Sequence, residues 1–82
     1  MVTDDIKNRV NNVLIEQLGI ISERGIKPED SLIDDLGADD LDEIEVVMSL
    51  EEEFGIAICD EDAQGLKTVQ NIYDYIDKRI NG

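Results

Sequence analysis

Carboxylates are the chemistry this chain offers. Of its 82 residues 21 are Asp or Glu, none is His and one is Cys, which leaves few groups for proton transfer or thiol catalysis near neutral pH. Cys59 has no histidine to hold it as a thiolate; it is read as a small buried or half-buried apolar side chain. Two acidic patterns stand out. Asp60-Glu61-Asp62-Ala63-Gln64-Gly65 places oxygen ligands at positions 1, 3 and 5 and a glycine at 6, as a calcium-binding loop does at its start. Position 12 is Asn71 rather than a bidentate glutamate, and position 8 is Lys67 where an apolar residue is expected. Diffuse cation attraction by acidic helices is therefore the better reading than a true calcium site. The second pattern, Asp35-Leu36-Gly37-Ala38-Asp39-Asp40-Leu41-Asp42, is a glycine-bearing turn that leads into a helix.

The elements that carry these groups follow from caps and apolar spacing. Thr3 is a good N-cap, Ile6, Val10, Val13, Leu14 and Leu18 recur at helical spacing, and Gly19 is a stop. This predicts a first helix over about residues 3–18. Residues 19–38 form a long connection, with a single helical turn expected at Pro28-Glu29-Asp30-Ser31 and with Leu32, Ile33 and Leu36 pinning it to the core. A second helix is expected from Asp39 or Asp40 to Phe54, ended by Gly55. On it Val46, Val47, Leu50 and Phe54 face the core. Leu41, Ile44 and Met48 form an adjacent stripe at i, i+3, i+7 spacing. Ile44 and Met48 are expected to be partly exposed, whereas Leu41 reads equally well as core. A short helix or turn over 60–64 closes at Gly65. Thr68 then caps a last helix with Val69, Ile72, Tyr73, Ile76 and Ile80 on one face. The sum is an all-α fold in one domain over residues 1–82, a small four-helix bundle of three longer helices and one short one.

Charge bounds the partners. The net charge is −14, and 15 of the acidic residues lie between Glu29 and Asp62, a span without Lys or Arg. Such a field repels nucleic acid and anionic membrane and attracts proteins with basic patches. A lone cysteine fits a reducing cytosol, and no apolar run reaches the roughly 20 residues of a membrane span. The first residues have no basic and apolar leader pattern. A cytoplasmic monomer is expected. An enzyme is not, because nothing suggests a concave apolar site in so small a bundle.

The turn before the second helix resembles the attachment motif of acyl carrier proteins, D-L-G-A-D-S-L-D. Other pieces resemble the same family in order: Glu16-Gln17-Leu18-Gly19, then Ser31-Leu32-Ile33-Asp34-Asp35 before the motif, then Glu45-Val46-Val47-Met48-Ser49-Leu50-Glu51-Glu52-Glu53-Phe54. Ile58-Cys59-Asp60-Glu61-Asp62-Ala63 resembles the family's I-P-D-E-x-A link, with Cys59 where proline is usual. Thr68-Val69-Gln70 and Asp74-Tyr75-Ile76 resemble its last helix. The resemblance covers nearly the whole chain. It implies a carrier that holds acyl chains as thioesters on 4'-phosphopantetheine and presents them to basic-patched enzymes of fatty acid or polyketide synthesis. By position it assigns Asp39, Asp42, Glu45, Glu51 and Glu52 as docking carboxylates, with Leu41, Ile44 and Met48 as the apolar contacts beside them.

The departure is Asp40, which stands where the family carries the attachment serine. Attachment needs an alcohol oxygen to attack a phosphate of coenzyme A, and a carboxylate is a poor nucleophile for that step. Ser31 lies upstream and Ser49 is mid-helix, so neither follows the turn. The expectation is a chain that a phosphopantetheinyl transferase leaves unmodified. Asp is as good as Ser at a helix N-cap, so the fold is expected to be spared. Two origins fit: a change made to obtain a uniform unmodified form, or a natural paralogue that keeps docking without attachment. The alternatives are an acidic calcium-binding or protein-interaction module with no carrier role, including a compact nucleic-acid mimic.

Overall fold

The computed structural model describes residues 2–20 and 25–82. Four helices follow in order: α1 over Asp4–Leu18, α2 over Asp40–Phe54, α3 over Asp60–Gln64 and α4 over Val69–Asn81. The three long helices begin where the sequence supplies a side-chain acceptor for their unpaired N–H groups. Thr3 Oγ1 accepts from the Ile6 amide at 3.3 Å. Thr68 Oγ1 accepts from the Asn71 amide at 3.1 Å, and Asn71 Oδ1 accepts in return from the Thr68 amide at 3.1 Å. This is a reciprocal capping box with Asn in the return position. α1 and α2 stop at Gly19 and Gly55, whose φ of 62° and 65° lie in the left-handed region where a Cβ is unfavourable.

α1 packs on both α2 and α4. Val10 and Leu14 of α1 meet Val46 and Leu50 of α2 and Val69, Ile72, Tyr73 and Ile76 of α4 in one buried core. The Tyr73 hydroxyl donates to Asn11 Oδ1 on α1, so the one polar atom of this large side chain is satisfied. Burial raises the Tyr73 pKa above its ordinary value of 10.0. Arg9 of α1 crosses to the end of α2. It donates to Glu53 Oε2 at 2.8 Å and to the Glu53 carbonyl oxygen at 2.7 Å, and its guanidinium lies 4.4 Å from the Phe54 ring centre. The last turn of α2 has no basic residue of its own, and α1 supplies the cation that its negative dipole end favours.

Of the connection between α1 and α2, residues 21–24 lie outside the described residues. The remainder is tied to the start of α4 by backbone bonds. Leu32 N donates to Lys67 O, Val69 N to Asp30 O and Gln70 N to Pro28 O, at 3.0, 3.0 and 2.8 Å. An isolated antiparallel bridge pairs Ser31 with Thr68. The single helical turn expected at residues 28–31 is a hydrogen-bonded turn over residues 27–30. Asp30 closes it, since its Oδ2 accepts from the Lys27 amide at 2.9 Å and its own amide donates to Lys27 O at 3.0 Å. Asp30 is buried. Leu32 is buried and Leu36 half-buried, as expected, but Ile33 is 52 % exposed. The bridge to Thr68 turns Leu32 inward, and its sequence neighbour Ile33 then faces out.

Candidate functional site

The site is built on the start and outer face of α2. Asp39 is its N-cap: Asp39 Oδ1 accepts from the Asp42 amide at 2.8 Å, and Asp42 Oδ2 accepts from the Asp39 amide at 3.2 Å. Asp39, rather than Asp40, therefore does the capping. Asp40 is the first helical residue and is exposed. A carboxylate there still faces the positive end of the helix dipole. The tolerance expected of the fold thus rests on that dipole and not on a cap bond.

Along the outer face Leu41, Ile44 and Met48 are 62, 57 and 56 % exposed. The core reading of Leu41 is overturned: Leu41 is the most exposed of the three. Val46 and Leu50 fill the core on the opposite side, with Val47 and Phe54 packed partly against it. Glu45 and Glu52 are exposed beside the stripe. Glu51 is half-buried and bent back, its Oε2 accepting from the Ile58 amide at 2.9 Å. One of its two oxygens thereby joins α2 to the segment leading into α3.

Between α2 and α3 lies a groove of about 440 Å³. Ile44, Val47 and Met48 form one apolar wall and Ile58 and Ala63 the other. Asp40, Glu43, Glu51, Asp60 and Gln64 complete the lining. Its size falls within the usual range for small-molecule pockets. A concave, partly apolar site therefore exists where none was expected. The reason is α3. It has no buried residue of its own, so it stands off α2 rather than packing flush. It is held from the far side: Tyr75 Oη on α4 donates to Asp62 Oδ2 at 2.8 Å, while Arg79 donates to Tyr75 Oη and to the Ala57 carbonyl, each at 2.7 Å. Partial burial and the Asp62 acceptor raise the Tyr75 pKa, against the opposing pull of Arg79.

This arrangement also bears on Cys59 and on the calcium pattern. Cys59 is exposed, not buried or half-buried, because it is the N-cap of this outlying helix and makes no side-chain cap bond. Asp60, Asp62 and Gln64 are wound into a helix, where alternate residues point about 200° apart. Among the described residues no cluster of three metal-ligating side chains is close enough to hold an ion.

A family model described as a phosphopantetheine attachment site matches residues 8–76. An acyl carrier protein of Bdellovibrio bacteriovorus is 50% identical over 74 residues, covering 90% of this chain and 94% of that protein. The chain belongs to the acyl carrier protein family. Solved structures agree on the fold. A chain assigned as an acyl carrier protein from Anaplasma phagocytophilum superposes with a TM-score of 0.89 at 37% identity, over 99% of this chain and 94% of that one. One from Mycobacterium tuberculosis gives 0.83 at 35% identity, over 92% and 99%. Acyl carrier proteins are carriers and not enzymes, and this member is a carrier by family. Among its described residues no helix is long and apolar enough to cross a membrane.

The head of α2 presents carboxylates and no hydroxyl. Asp40 offers a carboxylate and no alcohol. Ser31 Oγ is engaged in its own turn, accepting from the Asp34 amide at 3.3 Å. Ser49 lies nine residues along α2, roughly 13 Å of helix axis away.

The sequence pattern missed Arg9 and the Asp62–Tyr75–Arg79 set. Arg9 and Glu53 are 44 positions apart, and no local spacing links them. The Tyr75–Arg79 pair sits at i, i+4 on a helix and could have been found.

Proposed function

We propose that this chain is an acyl carrier scaffold that docks the family's enzymes through α2 and does not itself accept phosphopantetheine. The observation that carries the reading is the exposed stripe Leu41, Ile44 and Met48 on a helix otherwise edged by carboxylates. An apolar strip rimmed by one sign of charge suits a partner with an apolar patch inside a basic ring. Asp39, Asp42, Glu45, Glu51 and Glu52 are the docking carboxylates of this reading. Asp39 and Asp42 keep their outer lone pairs for a partner while capping the helix, and Glu51 lends one oxygen to Ile58. The partners are basic-patched synthase enzymes of fatty acid or polyketide synthesis. The protein works as a cytoplasmic monomer that binds neither nucleic acid nor membrane, in keeping with its net charge of −14.

The experiment is intact-protein mass after incubation with coenzyme A and a broad-specificity phosphopantetheinyl transferase. The chain as it stands is expected to keep its mass, and Asp40→Ser to gain that of the arm. A gain by the unaltered chain overturns the reading of Asp40. If Asp40→Ser also stays unmodified, the transferase does not recognise this α2, and the docking reading loses its support.

A further inference from the structure

The apolar contacts on offer at the head of α2 lie beside residue 40 and not on it. Leu41, Ile44 and Met48 stand exposed on the helix side. On the loop side the Ala38 amide donates to Leu32 O at 2.8 Å, which brings the exposed Ile33 next to the turn that enters α2. The turn is held by the two cap bonds between Asp39 and Asp42, and Asp40 takes part in neither. Exchanging Asp40 for a serine therefore leaves the apolar contacts, the cap and the flanking carboxylates in place. What changes is whether a docked chain can react.

Carriers of this family interact with transferases as well as with synthases. At the transferase a serine oxygen gives up its proton and takes the phosphopantetheinyl group from coenzyme A, and the adenine nucleotide leaves. Asp40 has no hydroxyl, and its carboxylate is a poor nucleophile toward a phosphate. A chain held there makes no bond and breaks none, so it leaves only by dissociation, and while it stays it excludes a serine-bearing carrier. Charge favours that encounter, because α2 and its entry turn carry carboxylates and no Lys or Arg to set against a basic patch. We infer that this chain is a dead-end competitor of serine-bearing carriers at the phosphopantetheinyl transferase and slows their loading. This role rests on the docking reading of α2 and goes beyond it by naming the enzyme and the effect on it.

The test is the rate at which a broad-specificity phosphopantetheinyl transferase loads Asp40→Ser at saturating coenzyme A, followed by intact mass, with the unaltered chain added. The unaltered chain is expected to raise the apparent KM for Asp40→Ser and leave kcat unchanged, with an inhibition constant within about tenfold of that KM. Ile44→Glu and Ile33→Glu, made in the unaltered chain at exposed positions, add charge and remove apolar contact. Each is expected to inhibit at least fivefold more weakly with helix content unchanged, and polyglutamate of matched charge not to inhibit at all. Loading of Asp40→Ser without inhibition by a hundredfold excess of the unaltered chain overturns the competitor role and leaves the docking reading standing. Failure of Asp40→Ser to load overturns both. Inhibition that lowers kcat with KM unchanged overturns the role, since the chain then acts away from the carrier's place on the enzyme. Inhibition by polyglutamate, or by both glutamate variants, as strong as by the unaltered chain overturns it too, because the effect is then that of the general acidic field.

Discussion

Removing the Arg9 guanidinium tests how α1 holds α2. In Arg9→Ala four contacts disappear together: the 2.8 Å pair with Glu53 Oε2, the 2.7 Å bond to the Glu53 carbonyl, the stacking 4.4 Å from the Phe54 ring centre and the exposed 3.7 Å pair with Asp5 Oδ2, which adds at most a few tenths of a kcal/mol. The Arg9 and Glu53 side chains are 38 and 40 % exposed, so their ion pair is screened and contributes only about 0.5 kcal/mol. A cation at the last carbonyls of a helix adds about 0.5 kcal/mol. A partly exposed cation–π contact adds about 0.5–1 kcal/mol. The expected loss is therefore about 2 kcal/mol. In a domain of this size that lowers Tm by about 8–15 °C. Arg9→Lys keeps the charge and loses the planar fork, so it should cost about half as much. In 1 M salt, where the screening length is about 3 Å, the difference between Arg9→Ala and the unaltered chain should shrink toward about 1 kcal/mol. Urea and thermal unfolding followed by circular dichroism measure all three. A loss below about 0.5 kcal/mol for Arg9→Ala, or Arg9→Lys as stable as the unaltered chain, refutes the reasoning.

Three further outcomes are expected. Leu50→Ala opens a cavity in the centre of the core and should cost about 3–4 kcal/mol, whereas Leu41→Ala, on the exposed stripe, should stay within about 0.5 kcal/mol and lose partner binding instead; chemical denaturation beside a binding assay separates the two. The Tyr73 pKa is raised by burial, so its contribution is fully present below the unfolded value of 10.0 and is lost as pH rises through the higher folded value; stability should fall above pH 10, and Tyr73→Phe should flatten that fall while costing about 1 kcal/mol at neutral pH for the lost Asn11 bond. The net charge of −14 makes the folded chain repel itself, so Tm should rise as sodium chloride goes from low to physiological levels, the opposite of what a fold held mainly by surface ion pairs would do.

The helices were legible because their ends are chemical. Thr3, Thr68, Gly19 and Gly55 mark caps and stops in any context, and the bounds of α1, α2 and α4 fall where they point. The stripe on α2 was legible from spacing, since Val46 and Leu50 claim the core face and leave Ile44 and Met48 outside. What escaped depends on contacts between distant residues. The inward turn of Asp30, the outward turn of Ile33 and the exposure of Cys59 are set by where the connection meets α4 and where α3 stands off. A one-residue choice, cap at Asp39 or at Asp40, also escaped, because three carboxylates within four positions can each serve.

The backbone ties between the connection and the head of α4 bear on the order of folding. The bridge from Ser31 to Thr68 closes a loop of about 37 residues, whose closure entropy alone is roughly 3 kcal/mol. The three amide bonds across it, at about 1 kcal/mol each, do no more than offset that. They are expected to persist only once α1, α2 and α4 have met through their apolar faces. α4 then receives its final N-terminal anchoring as a late event, and the amides of Leu32 and Val69 report the last step of assembly and the first of its reversal.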